Sequence, residues 1–274
     1  MINEKIFLKN HYNIDSDAWI EINVPYTNDI TLRNKSKAII IVPGGAYSYV
    51  SNREADPVAV EYLKEDFTTI TLHYSVKSEY PKPMLELAYT IDYLRKNLDK
   101  YYIDKNKISV IGFSAGGHLV SSYGYLYKKK EFLDIVKLVK ENIKPNALVL
   151  SYPVITMGEY THFETRDNIS NNKPELLDLL SVEKNIDKEY PPTFIWATKE
   201  DLCVPYQNSE LIVSELIKHN VSHEYFLYPY LNHGLSVINP MLYSKEQLDD
   251  IHFQEVSVWF KKSVNFINKT FNEA

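Results

Sequence analysis

Residues 108–119, ISVIGFSAGGHL, decide the fold. A short apolar run reaches Gly112, turns through Phe113, Ser114 and Ala115, and leaves through Gly116 and Gly117 into a helix-like stretch. Gly112-Phe113-Ser114-Ala115-Gly116 matches G-x-S-x-G between a strand and a helix. A serine on such a sharp turn needs small neighbours, because the strand and helix backbones pass close on either side and side chains at 112 and 116 would collide. The turn lifts the Ser114 hydroxyl toward the carboxyl edge of the strands. It also sets the Ala115 N–H at a helix N-terminus, where it can meet a developing oxyanion. The pattern alone is short, and a glycine-rich turn without chemistry produces it too. The rest of the chain must supply the partners.

Outward from this turn, short apolar runs alternate with longer amphipathic stretches. That is the pattern of an α/β fold: a central, mostly parallel sheet with helices on both faces. Strands are predicted at 37–42 (KAIIIV), 68–74 (TTITLHY), 107–111, 146–150, 193–197 and 223–228, and helices at 57–63, 81–96, 206–218 and 244–270. Within 81–96, Met84, Leu87, Ala88, Ile91 and Leu94 recur at helical spacing. In the closing helix, Phe253, Val256, Phe260, Val264 and Ile267 form one stripe. The strand-like run at 18–24 predicts antiparallel edge strands within residues 1–36. Residues 152–190 are the least regular part, polar and broken at Asn171, Asn172 and Pro174; such an excursion serves as a lid, a substrate-binding loop or plain surface. With no repeat, low-complexity tract or linker, 1–274 reads as a single domain.

Two loops answer the serine. Pro43-Gly44-Gly45-Ala46-Tyr47 follows the 37–42 strand, and its paired glycines let the backbone turn the Gly45 and Ala46 N–H groups inward, toward that of Ala115. Chain order then asks for an acid and a histidine on loops beyond later strands. Glu200 and Asp201 both follow the 193–197 strand; Asp201 is preferred, with Glu200 as the alternative. His233 follows the 223–228 strand and is the base. The other histidines fit less well: His118 lies in the helix after the serine, where it packs locally, and His73 comes too early. His162, in the excursion, is placed to touch substrate, as are Tyr47, Tyr74 and Tyr230 with Tyr49 nearby. Trp196 reads as core, and Cys203 as a small buried hydrophobe.

Composition narrows the function classes. The chain has 274 residues, 45% hydrophobic and 24% charged, with 30 Lys and Arg against 36 Asp and Glu. No basic block suggests a nucleic-acid footprint, and a net charge of −6 points away from anionic polymers, so no nucleic-acid partner is expected. No segment reaches 18 consecutive apolar residues, so no membrane partner is expected. The single cysteine builds no intrachain disulfide, and the N-terminal residues lack a leader-like apolar run, so the expected location is cytoplasmic. No HExxH, CxxC, P-loop or dinucleotide fingerprint occurs, so neither a metal nor an organic cofactor is expected. The partners expected are a small-molecule ester and, as the commonest soluble assembly, a second copy in a homodimer. The 22 tyrosines are unusual; most are packing residues, and a few suit a polar, sugar-sized cleft.

PGGAYSYVSNREADPVA, LHYSV, GFSAGGHL, SYPVIT, PPTFIWATKEDLCVP and NHG together resemble the esterase/lipase branch of the α/β-hydrolases, most closely bacterial acetyl xylan esterases and related carbohydrate acetylesterases. The likeness covers about residues 37–240. It implies carboxylic-ester hydrolysis through an acyl-enzyme, with Ser114, Asp201 and His233 in the catalytic roles and Gly45, Ala46 and Ala115 in the oxyanion hole. Two departures stand out: Pro43 occupies a position that is histidine in much of the wider branch, and Glu200-Asp201 replaces a pair of aspartates. Members of this group often carry the name xylanase, whereas one Ser–Asp–His site is not the paired-carboxylate arrangement of glycoside hydrolysis. The same three residues would equally serve an amidase, an arylformamidase or a small peptidase. An inactive hydrolase fold that only binds is a further reading.

Overall fold

The computed structural model describes residues 2–25 and 35–273. Eight strands, β1 (Ile2–Phe7), β2 (Trp19–Val24), β3 (Ser36–Val42), β4 (Thr68–His73), β5 (Ile103–Phe113), β6 (Ala147–Ser151), β7 (Thr193–Thr198) and β8 (His223–Tyr228), form one sheet in the order β1-β2-β4-β3-β5-β6-β7-β8. The pairs β1–β2 and β2–β4 are antiparallel, and every pair from β4 to β8 is parallel. The edge strands predicted near the N-terminus are thus present; residues 26–34 of that stretch lie outside the described residues.

Alternation along each strand divides the core in two. Ala38, Ile40 and Val42 of β3, Ile108 and Val110 of β5, and Leu148 and Leu150 of β6 face one layer; Ile39, Ile41, Ile111, Phe113, Ala147 and Val149 face the other. The second layer is closed by α1 (Asp56–Lys64) and α6 (Trp259–Glu273), the first by α2 (Lys82–Lys96), α3 (Ala115–Leu126) and α5 (Gln207–Lys218), with α4 (Phe163–Ser170) on the excursion between β6 and β7. The whole predicted stripe of α2, from Met84 to Leu94, is buried in the first layer. Burying both faces explains why these strands read as continuous apolar runs.

Three expectations need correction. The closing helix is not continuous over 244–270; short helices at Lys245–Asp249 and Ile251–Ser257 precede α6. Asp250 leaves the helical conformation (φ −70°, ψ 133°), and its carboxylate accepts the N–H groups of His252 and Phe253, so it caps a new helix in place of continuing the old one. The apolar stripe survives, because Val256, Val264 and Ile267 still pack on the second layer. Strand β5 begins at Ile103, before the predicted 107, because Asp104, Lys105 and Asn106 carry no apolar signal where the register shifts between the Ser36–Ile103 and Ala38–Ile108 pairs. The excursion is less polar in function than in composition. Val154, Ile155, Met157, Ile169, Leu180, Val182 and Ile186 are all buried against the first layer.

Candidate active site

Parallel strands bring their carboxyl ends to one edge, and the loops leaving β3, β5, β7 and β8 meet there. Ser114 sits between β5 and α3 at φ 54°, ψ −119°, a backbone conformation that costs a non-glycine residue on the order of 1–3 kcal/mol. Three hydrogen bonds hold it: its N–H donates to Ser151 O at 3.0 Å, and its carbonyl accepts from Val154 N at 3.1 Å and His118 N at 3.1 Å. The small neighbours are required as read. A Cβ on Gly112 would lie 2.3 Å from Gly116 O, and one on Gly116 would lie 2.2 Å from Val42 O.

The structure brings Ser114, His233 and Asp201 into one relay. His233 Nδ1 donates to Asp201 Oδ2 at 2.6 Å, and Nε2 accepts the Ser114 hydroxyl at 2.8 Å. The carboxylate fixes this tautomer, since an ionised Asp can only accept. Asp201 is buried, and its other oxygen accepts the N–H groups of Cys203 at 2.9 Å and Val204 at 2.8 Å. Glu200, the alternative acid, is exposed and points elsewhere: its Oε2 accepts the Leu231 N–H at 3.1 Å, tethering the loop that carries His233. That loop is strained at Leu231 and Ser236, at φ 76° and 55°, and turns through Gly234 at φ 76°. Asn232 Oδ1 adds a second tether, accepting the N–H groups of Leu202 and His233.

The loop after β3 supplies amide donors. Gly45 lies at φ 121°, which only glycine adopts freely, and Ala46 and Tyr47 follow at 53° and 60°. Among the described residues the N–H groups of Gly45, Ala46 and Ala115 donate to no protein acceptor. The loop is clamped from several sides. Glu54 Oε2 accepts the Gly44 N–H at 2.7 Å, Asn168 of α4 donates to Ala46 O at 2.8 Å, and the Tyr74 hydroxyl donates to Pro43 O at 3.0 Å.

These elements enclose a cleft of about 280 Å³, lined by Gly45, Ala46, Tyr49, Ser114, His162 and His233 among others. His162 therefore lines the cleft. It caps α4, with Nδ1 accepting the Thr165 N–H, so Nε2 carries the ring proton; burial first, then the nearby His233, lower its pKa against the opposing pull of Glu164 and Asp201. The three tyrosines named for substrate contact are elsewhere. Tyr47 is fully buried behind the loop, 2.8 Å from His118 Nδ1, and Tyr74 is spent on the Pro43 carbonyl. Tyr230, 41% exposed, packs tilted against the His252 ring with centroids 3.9 Å apart, outside the cleft. Trp196 is core, as read, its indole N–H donating to Ser151 Oγ at 2.8 Å. Cys203 is not buried: it is exposed and lines the cleft, where partial desolvation and then Asp201 and Glu164 push its thiol pKa up.

Tyr49, named beside Tyr47, Tyr74 and Tyr230, does line the cleft, while sequence reasoning missed Arg53, Glu54 and Glu164 as cleft residues and Tyr152 and Asn168 as supports. None lies on a periodic stripe, and where Arg53, Glu54 and Tyr152 fall inside segments that carry the family likeness, the likeness assigns them no role. The one available signal was the charged pair Arg53-Glu54 closely following the Gly44-Gly45 turn.

A serine turn after β5, an acid loop after β7 and a histidine loop after β8 of such a sheet define the α/β-hydrolase class, and this chain falls in its esterase/lipase branch. More narrowly, it belongs to the BD-FAE family, whose model matches residues 26–216. It is 29% identical over 256 residues to endo-1,4-beta-xylanase B of Butyrivibrio fibrisolvens, covering 88% of this chain and 39% of that protein. The chain spans about two fifths of the length of the first curated relatives it matches. Solved structures match throughout. A carboxylesterase from Lactobacillus plantarum superposes with a TM-score of 0.86 at 25% identity, covering 98% of both chains. An acetyl ester-xyloside bifunctional hydrolase from Caldicellulosiruptor lactoaceticus gives 0.77 at 29% identity, covering 96% of this chain and 97% of that one. Among the described residues no helix is long and apolar enough to cross a membrane.

Proposed function

We propose that the chain hydrolyses short-acyl carboxylic esters through an acyl-enzyme, with acetyl groups on a sugar or small oligosaccharide as the natural substrate. The observation that carries the reaction type is the Ser114–His233–Asp201 relay at 2.8 and 2.6 Å. His233 Nε2 takes the hydroxyl proton as Ser114 Oγ attacks the ester carbonyl carbon. Asp201 holds the imidazole and stabilises the imidazolium, and the Gly45, Ala46 and Ala115 amides receive the oxyanion. The alcohol leaves with the proton from His233. Water, deprotonated by His233, then attacks the acyl carbon, and Ser114 takes the proton back as the acid departs.

Two observations support the acyl and sugar preferences. A cleft of about 280 Å³ is small for a ligand site. The solved hydrolase from Caldicellulosiruptor lactoaceticus, similar along nearly its whole length, is named for an acetyl ester. The test is a set of p-nitrophenyl esters from acetate to decanoate, with acetylated monosaccharides, acetylated xylo-oligosaccharides, an N-formyl arylamide and p-nitrophenyl xyloside, each scored by kcat/KM. Acetate released from the sugars at the highest efficiency is expected. Best turnover on octanoate or longer, with no acetate from any sugar, overturns the substrate, and best turnover on the formamide moves the enzyme to the amidases.

A further inference from the structure

Glu54 is buried beneath the cleft, yet none of the roles above uses its charge. It lies two residues before α1, and its two oxygens face two different parts of the site: Oε2 accepts the Gly44 N–H of the oxyanion loop at 2.7 Å, and Oε1 accepts the Tyr152 hydroxyl at 2.7 Å. The same hydroxyl oxygen accepts the Ser236 N–H at 2.9 Å, in the loop carrying His233. Since Ser236 gives its proton to Tyr152, the phenol proton is directed at Glu54. The Gly44 N–H and the Tyr152 hydroxyl therefore both donate to the carboxylate, one to each oxygen, an arrangement an ionised Glu satisfies.

Tyr152 is itself an outlier. It takes φ 38° at the end of β6, is 2% exposed, and packs its ring against the His233 imidazole at 4.8 Å and 69°. Backbone strain at a buried tyrosine persists only where its surroundings over-determine it. Here Tyr152 N–H donates to Trp196 O at 2.7 Å, and Ser236 is held further by Arg53 O and the Trp259 indole.

We infer that Glu54, acting through Tyr152 and Gly44, is a positioning residue that keeps the oxyanion loop and the His233 loop in register and places a second negative charge behind the imidazolium that forms during catalysis. This rests on His233 being the base. The groups facing His233 are Asp201 at Nδ1, Glu54 behind Tyr152, His162, Glu164 and Cys203 around the cleft, and Arg53, whose Nε donates to Gly234 O at 3.0 Å. Burial raises the Glu54 pKa, while Tyr152, the Gly44 amide and His233 oppose that rise. An anion at this place favours the imidazolium, so its removal moves the acid limb of kcat/KM to lower pH.

The experiment compares wild type, Ser114→Ala, Glu54→Gln and Tyr152→Phe on p-nitrophenyl acetate across pH, with Tm as the check on folding. Glu54→Gln is expected to lower kcat by about 10- to 100-fold with KM within about threefold, and to move the acid limb down by about half a pH unit or more. Tyr152→Phe keeps the ring on His233 and is expected to move the limb the same way with a smaller fall in kcat. A folded Glu54→Gln protein with kcat and limb unchanged overturns the inference, and so does a fall in Tm alone. If Glu54→Gln does not fold, an unmoved limb in Tyr152→Phe overturns it. Activity surviving in Ser114→Ala would instead overturn the triad.

Discussion

His233 Nδ1 lies 2.6 Å from Asp201 Oδ2, while the neighbouring Glu200 is turned to the Leu231 N–H at 3.1 Å. Adjacent carboxylates thus hold the same loop by different handles, one at the imidazole and one at the backbone. Asp201→Asn is expected to lower kcat by about 10⁴-fold, because the amide no longer fixes the tautomer. Glu200→Gln keeps an acceptor for Leu231 and is expected to stay within about fivefold of wild type. Steady-state kinetics on one ester decide it; the reverse ranking would make Glu200 the acid.

Ser114→Ala removes only an oxygen from a turn whose backbone is held by Ser151, Val154 and His118. The protein is expected to keep its Tm and to lose nearly all turnover, with residual catalysis of about 10³-fold over water from the oxyanion donors. A fluorophosphonate should add mass to the wild-type peptide containing Ser114 and none to the variant. A wild-type protein that takes no label would instead mark an inactive, binding-only fold.

Gly45→Ala asks an L side chain to sit at φ 121°, with its Cβ 2.1 Å from Tyr49 O. The loop must shift to relieve this, carrying its amide donors off target. A fall in kcat of about 10²–10³-fold with little change in KM is expected. An unchanged kcat would remove Gly45 from the oxyanion hole.

His118 is fully buried between Tyr47 and the Leu180 carbonyl, and burial pulls its pKa from 6.5 down to about 4. A histidine depressed in the folded state is neutral in both states above about pH 6.5. Between about 6.5 and 4 only the unfolded chain takes the proton, so stability is lost as pH falls through that window, by roughly 3 kcal/mol in all. His118→Gln should flatten this part of the profile. Urea midpoints at pH 7 and pH 4.5 for both proteins measure it, and equal losses in the two would mean that His118 protonates in place. His73, also lowered to about 4, contributes to both alike.

Most of the sheet was legible because both its faces are buried. Runs such as KAIIIV at 37–42 have to be strands, and the glycines around Ser114 mark where two backbones nearly touch. Asp250 was legible only in retrospect, because capping competes with continuing a helix and composition does not say which wins. Tyr47 and Tyr74 were misplaced for a related reason. Lying close to the serine loop along the chain says nothing about whether a ring faces the cleft or the core behind it.

By itself the sequence determined the chain order of the candidate groups: a serine on a glycine-flanked turn, then a pair of carboxylates, then a histidine, each following an apolar run. Those features are local, set by steric need over a few residues. Only the tertiary structure decided that Asp201 and not Glu200 reaches the imidazole, that Cys203 faces the cleft, and that Glu54 joins Gly44 to Tyr152 98 residues further on. Side-chain direction and long-range pairing follow from how the loops are held against each other, and no period in the chain encodes that.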